Sequence, residues 1–168
     1  MGDIRTVAQA TKSRDAALEL VARQRSRIDA VKIAVRKERR PDVVAIEWFD
    51  PVFIAGHWTP QLIELAGGTD VLGFAGERSE QMSWDAVRAA KPEVVLCIPC
   101  GYDAAGALDQ ARLFEDELRS TGARRIVALD ASAYFSRPGP RLVDGLETLA
   151  HLLHPGAVAS APGAILEL

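Results

Sequence analysis

The sequence predicts an α/β fold: one unit with a mostly parallel sheet flanked by helices, preceded by a long N-terminal helix. Three observations carry this. Short apolar runs alternate with helical segments from residue 42 onward, the pattern of strands covered on both faces by crossover helices. Residues 4–39 contain neither Gly nor Pro and read as one continuous helix. A length of 168 residues, 48% of them hydrophobic and 26% charged, suits one globular domain and excludes a disordered or membrane-embedded chain.

Taken in order, the first helix is stopped by Pro41. At about 1.5 Å per residue it would run for roughly 50 Å, more than a small domain needs. Residues 1–40 are therefore expected to form a connecting backbone helix, with the α/β unit over 41–168. Asp42–Glu47 reads as a buried strand. Thr59, as N-cap, and Pro60 open a helix through Ala66 that stops at Gly67-Gly68. Thr69–Gly73 is a short strand, and Ser83 caps a helix reaching Ala90 ahead of Lys91-Pro92. Glu93–Ile98 is the most strand-like run and is halted by Pro99. A helix from Asp103 or Ala104 to about Ser120, a strand over Arg125–Leu129 and a helix over Gly139–Leu153 complete the pattern. The tail, rich in Ala, Gly and Pro, is expected to be loosely held.

The formal charge of −3 conceals an asymmetry. Residues 1–40 hold 11 of the 20 Lys and Arg but only 5 of the 23 acids. These charges surround an apolar helical stripe (Val7, Ala10, Leu18, Val21, Ile28, Val31, Val35) and read as its solvated face. No aromatics interleave with them, which argues against nucleic acid. No apolar run approaches the ~20 residues of a membrane span. The N-terminus lacks the layout of a secretory signal, so the chain as written is expected in the cytoplasm, or outside it if an upstream segment is missing.

Ligands of open α/β sheets bind beyond the carboxyl ends of the strands. Four loops meet that description: Trp48–Trp58, Phe74–Met82, Pro99–Asp103 and Asp130–Pro138. They hold eight of the ten aromatics, which suits a large, flat, partly apolar ligand or a protein interface.

Catalytic constellations are weak by comparison. Cys97-Ile98-Pro99-Cys100 is a Cys-x-x-Cys, but Cys97 falls inside a strand and only Cys100 reaches a loop, so a redox role is not expected. A zinc site would need a second such pair. His151 and His154, near the end of the last helix, read as cations suiting the helix dipole. His57, among the edge aromatics, reads as a loop histidine with a second role open to it, contact with a ligand or with a metal centre such as cobalt. Glu47 and Asp50 form a candidate acid–base pair without a partner nucleophile. The sequence has no glycine-rich phosphate loop and no Gly-x-Ser-x-Gly elbow.

Several stretches together resemble the cobalamin-binding members of the substrate-binding proteins of ABC importers, the class with a helical backbone. They are Glu47-Trp48-Phe49-Asp50-Pro51, Ala55-Gly56-His57-Trp58-Thr59-Pro60-Gln61-Leu62 and Glu64-Leu65-Ala66-Gly67-Gly68. Ser83-Trp84-Asp85, Lys91-Pro92-Glu93-Val94-Val95, Pro99-Cys100-Gly101-Tyr102-Asp103 and the run from Tyr134 to Leu142 follow in order, so the likeness spans nearly all of residues 42–155.

The resemblance implies two α/β lobes joined by a long helix, with this chain supplying the helix and the C-terminal lobe and no counterpart of the first. It implies binding of a corrinoid or related tetrapyrrole as a component of ABC-type uptake, with no catalytic cofactor. Ligand contacts would come from Trp48, His57, Trp58, Tyr102, Tyr134 and Phe135. Asp85 would dock on the importer's membrane subunit, although an acid in a first helical turn is also favoured by the helix dipole. The alternatives are a protein-interaction or truncated module that pairs with a missing first lobe or with itself as a homodimer, and a corrinoid-modifying enzyme using Glu47, Asp50 or His57.

Overall fold

The computed structural model describes residues 2–168. Its first departure from expectation is at the N-terminus. The long helix is two helices, α1 (Gly2–Ala10) and α2 (Arg14–Val35). Lys12 adopts a left-handed conformation with φ of 55°, and the Ser13 amide donates back to the Ala8 carbonyl at 2.9 Å. This closes α1 with the hydrogen bond of a Schellman turn. The Thr11 hydroxyl bonds both the Val7 carbonyl and the Ser13 hydroxyl. Thr and Ser side chains compete with the helical ladder in this way, and no Gly or Pro announces the break.

α2 is also not a free-standing spacer. Val31 and Val35 lie in the core, and Arg27 reaches the last long helix, α8 (Leu142–Leu153). Its Nε donates to Glu147 Oε1 at 2.8 Å, and its Nη2 contacts Asp144 at 2.5 Å and Glu147 Oε2 at 2.6 Å. These carboxylates hold the guanidinium still more firmly in its charged form.

The strands alternate as fully buried strands should. In β1 (Asp42–Phe49), Val43 and Ala45 face one core while Val44 and Ile46 face the other. β5 (Val94–Cys97) and β6 (Arg125–Leu129) repeat the alternation, with Leu96 and Val127 on the first side and Val95 and Ala128 on the second. β1, β5 and β6 are parallel neighbours, with Val43 opposite Val94 and Val94 opposite Arg125. α2, α3 (Thr59–Leu65) and α8 cover one face. α4 (Trp84–Ala89), α5 (Ala104–Arg112) and α6 (Glu115–Ser120) cover the other.

The parallel centre is as the sequence predicts, and both edges add antiparallel strands that it did not announce. β2 (Val52–Ile54) turns back on β1 through a cis Asp50–Pro51 bond and β4 (Glu80–Gln81) pairs with β2, whereas β3 (Thr69–Asp70), within the short strand expected from Thr69, runs parallel beside the start of β1. At the far edge, β7 (Ile165–Glu167) pairs with β6, placing Leu129 opposite Ile165. The tail is thus tied in, with Glu167 held by Arg125 at 2.5 Å. A three-residue strand needs only one partner edge to form, and such brevity carries no periodic signal.

Smaller corrections follow. Trp58, not Thr59, occupies the N-cap of α3, without a side-chain cap. The helix expected to reach Ser120 breaks at Leu113-Phe114, where Phe114 stacks on Phe49 at 5.3 Å. Burying that ring outweighs continuing the ladder. α8 starts at Leu142, beyond Pro138-Gly139-Pro140. Ser83 caps α4 as expected, accepting from the Ala86 amide.

Candidate functional site

Three strands end at one edge, and the loops beyond them are stitched together. After β5, the Ile98 amide donates to the Ile46 carbonyl at 2.9 Å and the Cys100 amide to the Glu47 carbonyl at 3.2 Å. Gly101, at φ of 89°, lets the chain turn so that Tyr102 N–H reaches the Pro99 carbonyl. The Tyr102 carbonyl in turn accepts from Ser132 N–H at 3.0 Å, on the short helix α7 (Ala131–Tyr134) beyond β6. Asp103 and Asp130 are the N-caps of α5 and α7, accepting from Gly106 N–H and Ala133 N–H.

On this platform stand Trp48, 42% exposed at the end of β1, and the half-buried Tyr102. Their ring centroids are 6.5 Å apart with planes tilted by 46°. The Trp48 indole N–H is anchored on the Asp50 carbonyl. Beside them a shallow hollow of about 440 Å³ is lined by Tyr102, Asp103, Asp130, Ser132 and Arg141.

The other aromatic candidates are placed differently. β2 carries the chain back down β1, so that the Ala55 amide donates to the Ala45 carbonyl. The segment Ala55–Trp58 therefore lies below the tip of β1. His57 is exposed, with φ of 57°, and its backbone is clasped by the opposite loop: its N–H donates to the Glu77 carbonyl at 2.6 Å, and its carbonyl accepts from Gly76 at 2.7 Å. A side chain at Gly56 would come within 2.5 Å of the Arg78 backbone, so only glycine permits this approach. The His57 ring lies 5.7 Å from Trp58.

Trp58 is half-buried on the α2–α8 side, its indole N–H donating to the Phe135 carbonyl at 2.8 Å. Phe135 is only 4% exposed and belongs to the core, which corrects its expected place against a ligand. Tyr134 packs on the same core and over Gly163, where an added Cβ would meet its ring at 2.8 Å. The structure thus brings the exposed Trp48 and the half-buried Tyr102 together and does not join Phe135 to them.

Cys97 is buried, and burial drives its thiol pKa far up; Cys100 is exposed, so both lie where the strand and loop reading put them. Burial and the nearby Glu47 also raise the Cys100 thiol pKa, opposed by the Ser136 hydroxyl. His151 and His154 lie at the C-terminal end of α8, where the sequence puts them. Their rings donate to the Val158 carbonyl at 2.6 Å and the Gly67 carbonyl at 3.1 Å, and His154 is buried. Asp85 is exposed in the first turn of α4 and pairs with Arg88. Among the described residues no three His, Cys, Asp or Glu side chains are grouped to hold a metal ion, and no helix is long and apolar enough to cross a membrane.

One feature was missed by sequence reasoning. A mainly apolar groove of about 640 Å³ runs between α1, α2, α3 and the Pro138–Pro140 segment, with Ile4, Val7, Leu20, Trp58 and Leu65 among its walls. Val7 is 60% exposed beside it. Its only signal in the sequence is the apolar stripe that begins at Val7.

The architecture is that of an α/β binding-protein lobe, and comparison with known proteins agrees. The family model described as periplasmic binding protein matches residues 2–128, and the chain belongs to that family. Among solved structures it is similar to an ABC transporter substrate-binding protein from Listeria monocytogenes (TM-score 0.77, 18% identity, 92% of this chain and 63% of that one). It is similar too to the periplasmic heme-binding protein RhuT from Roseiflexus sp. RS-1 (0.70, 27%, 92% and 61%). A third is the periplasmic vitamin B12 binding protein BtuF of Vibrio cholerae (0.71, 17%, 90% and 59%). The chain therefore spans about three-fifths of the length of each. No curated protein sequence matches it.

Proposed function

We propose that the chain is a binding lobe for a corrinoid or related tetrapyrrole, serving ABC-type uptake as the C-terminal part of a two-lobed receptor and acting without catalysis. The observation that carries this is the pairing of the exposed Trp48 with the half-buried Tyr102 above the carboxyl ends of β1 and β5, an aromatic surface for a flat ligand. The family assignment supports it, as do the names of similar structures, which are binders of heme and vitamin B12. His57, held rigid in a left-handed loop, is a further ligand contact and a candidate for meeting the cobalt. Asp85, accessible on α4, is the docking residue for the importer's membrane subunit.

The test is retention of cyanocobalamin by the chain in ultrafiltration, with Trp fluorescence alongside. Trp48→Ala removes a partly exposed ring that lies outside both cores, together with its bond to the Asp50 carbonyl, and is expected to weaken binding at least tenfold, whereas Trp58→Ala also disturbs the core. Full retention by Trp48→Ala would move the ligand away from this edge. A second reading, an interaction module that pairs with itself or another chain, is favoured by the apolar groove beside α1. It predicts a stable complex in sedimentation that Val7→Glu abolishes.

A further inference from the structure

The polar hollow beside Trp48 and Tyr102 has a chemistry that distinguishes among flat macrocycles. We propose that it receives neutral amide groups on the rim of a macrocycle seated on the aromatic pair, and that it disfavours macrocycles whose rim carries carboxylates. This rests on the binding reading above and specifies its ligand.

The residues supply both halves of an amide's hydrogen bonding. Asp103 and Asp130 each spend one oxygen on a helix cap and leave the second without a partner among the described residues. Those oxygens accept from amide N–H groups. Arg141, exposed and in no ion pair among the described residues, and the exposed Ser132 hydroxyl donate to amide carbonyls. The Ser132 backbone bond to the Tyr102 carbonyl fixes the hollow against the aromatic plate. A carboxylate in the same place would face two fixed negative charges for one positive. At about 4 Å in a solvated setting, one uncompensated like charge weakens binding roughly fivefold.

The experiment compares cyanocobalamin with its separated monocarboxylates, in each of which one peripheral amide has been hydrolysed. Each is equilibrated with the full chain and retention is measured. The native chain is expected to hold the all-amide form about fivefold more tightly than at least one monocarboxylate. In Asp103→Asn/Asp130→Asn that gap is expected to fall below twofold, because asparagine keeps both helix caps while removing both charges. If that variant does not fold, Arg141→Gln decides instead: the side chain is exposed, and its loss must widen the gap. Corrinoid retention with no discrimination among the forms, or a gap unmoved by these substitutions, ends this proposal and leaves the binding reading standing. Retention of none of the forms ends both.

Discussion

Replacing Arg27 by methionine tests whether α2 is part of the lobe or merely leads to it. The substitution keeps an aliphatic stem against the core and deletes the charge. Arg27, Asp144 and Glu147 have side chains 28%, 26% and 24% exposed, so water screens the cluster only partly. The three bonds are charge-assisted, at 2.8, 2.5 and 2.6 Å. Removing the guanidinium leaves two carboxylates three residues apart on α8 with nothing between them, and repulsion adds to the lost attraction. Discounted for partial exposure, the loss should be about 2–3 kcal/mol. In a domain of this size 1 kcal/mol moves the thermal midpoint by roughly 2–4 °C, so a fall of about 5–10 °C is expected in calorimetry. Adding Asp144→Asn and Glu147→Gln should recover at least half of it by removing the orphaned charges. A fall under about 2 °C, or a triple variant no more stable than Arg27→Met, would refute the view that this cluster holds α2 on the lobe.

Two further outcomes follow from single residues. Lys12→Gly places glycine at the left-handed turn between α1 and α2 and should stabilise by about 0.5–1 kcal/mol, read as a higher denaturant midpoint; a loss would mean that the turn is not left-handed in solution. Arg39 holds the Glu93 carboxyl pKa down to about 2, below its ordinary value of 4.5. Because the folded pKa is depressed, the pair's contribution is present above about pH 4.5 and fades as pH falls towards 2. Glu93→Gln should therefore lower stability at pH 7 and flatten its dependence between those values, as acid titration followed by circular dichroism would show.

Much of this molecule was legible in the chain itself. The strands Asp42–Glu47, Glu93–Ile98 and Arg125–Leu129 could be placed because residues buried on both faces form unbroken apolar runs, and Ser83 could be named a cap because capping is local chemistry. Trp48 and Tyr102 could be put at the carboxyl edge because one stands at the end of a parallel strand and the other in the loop after one, positions that fold class alone dictates.

What only the tertiary structure decided depends on partners distant in sequence. β2, β4 and β7 are two or three residues long and exist because an edge was free to receive them. Phe135 and Trp58 share the edge loops with Tyr102, yet one is core and the other is tied to a carbonyl 77 residues away. The break at Lys12 carries no glycine to mark it. The hollow between Asp103, Asp130 and Arg141 joins three loops whose residues have no common spacing. Composition and periodicity fix what a segment prefers by itself; which side chains meet across strand ends is set by how the sheet is covered, and no local pattern encodes that.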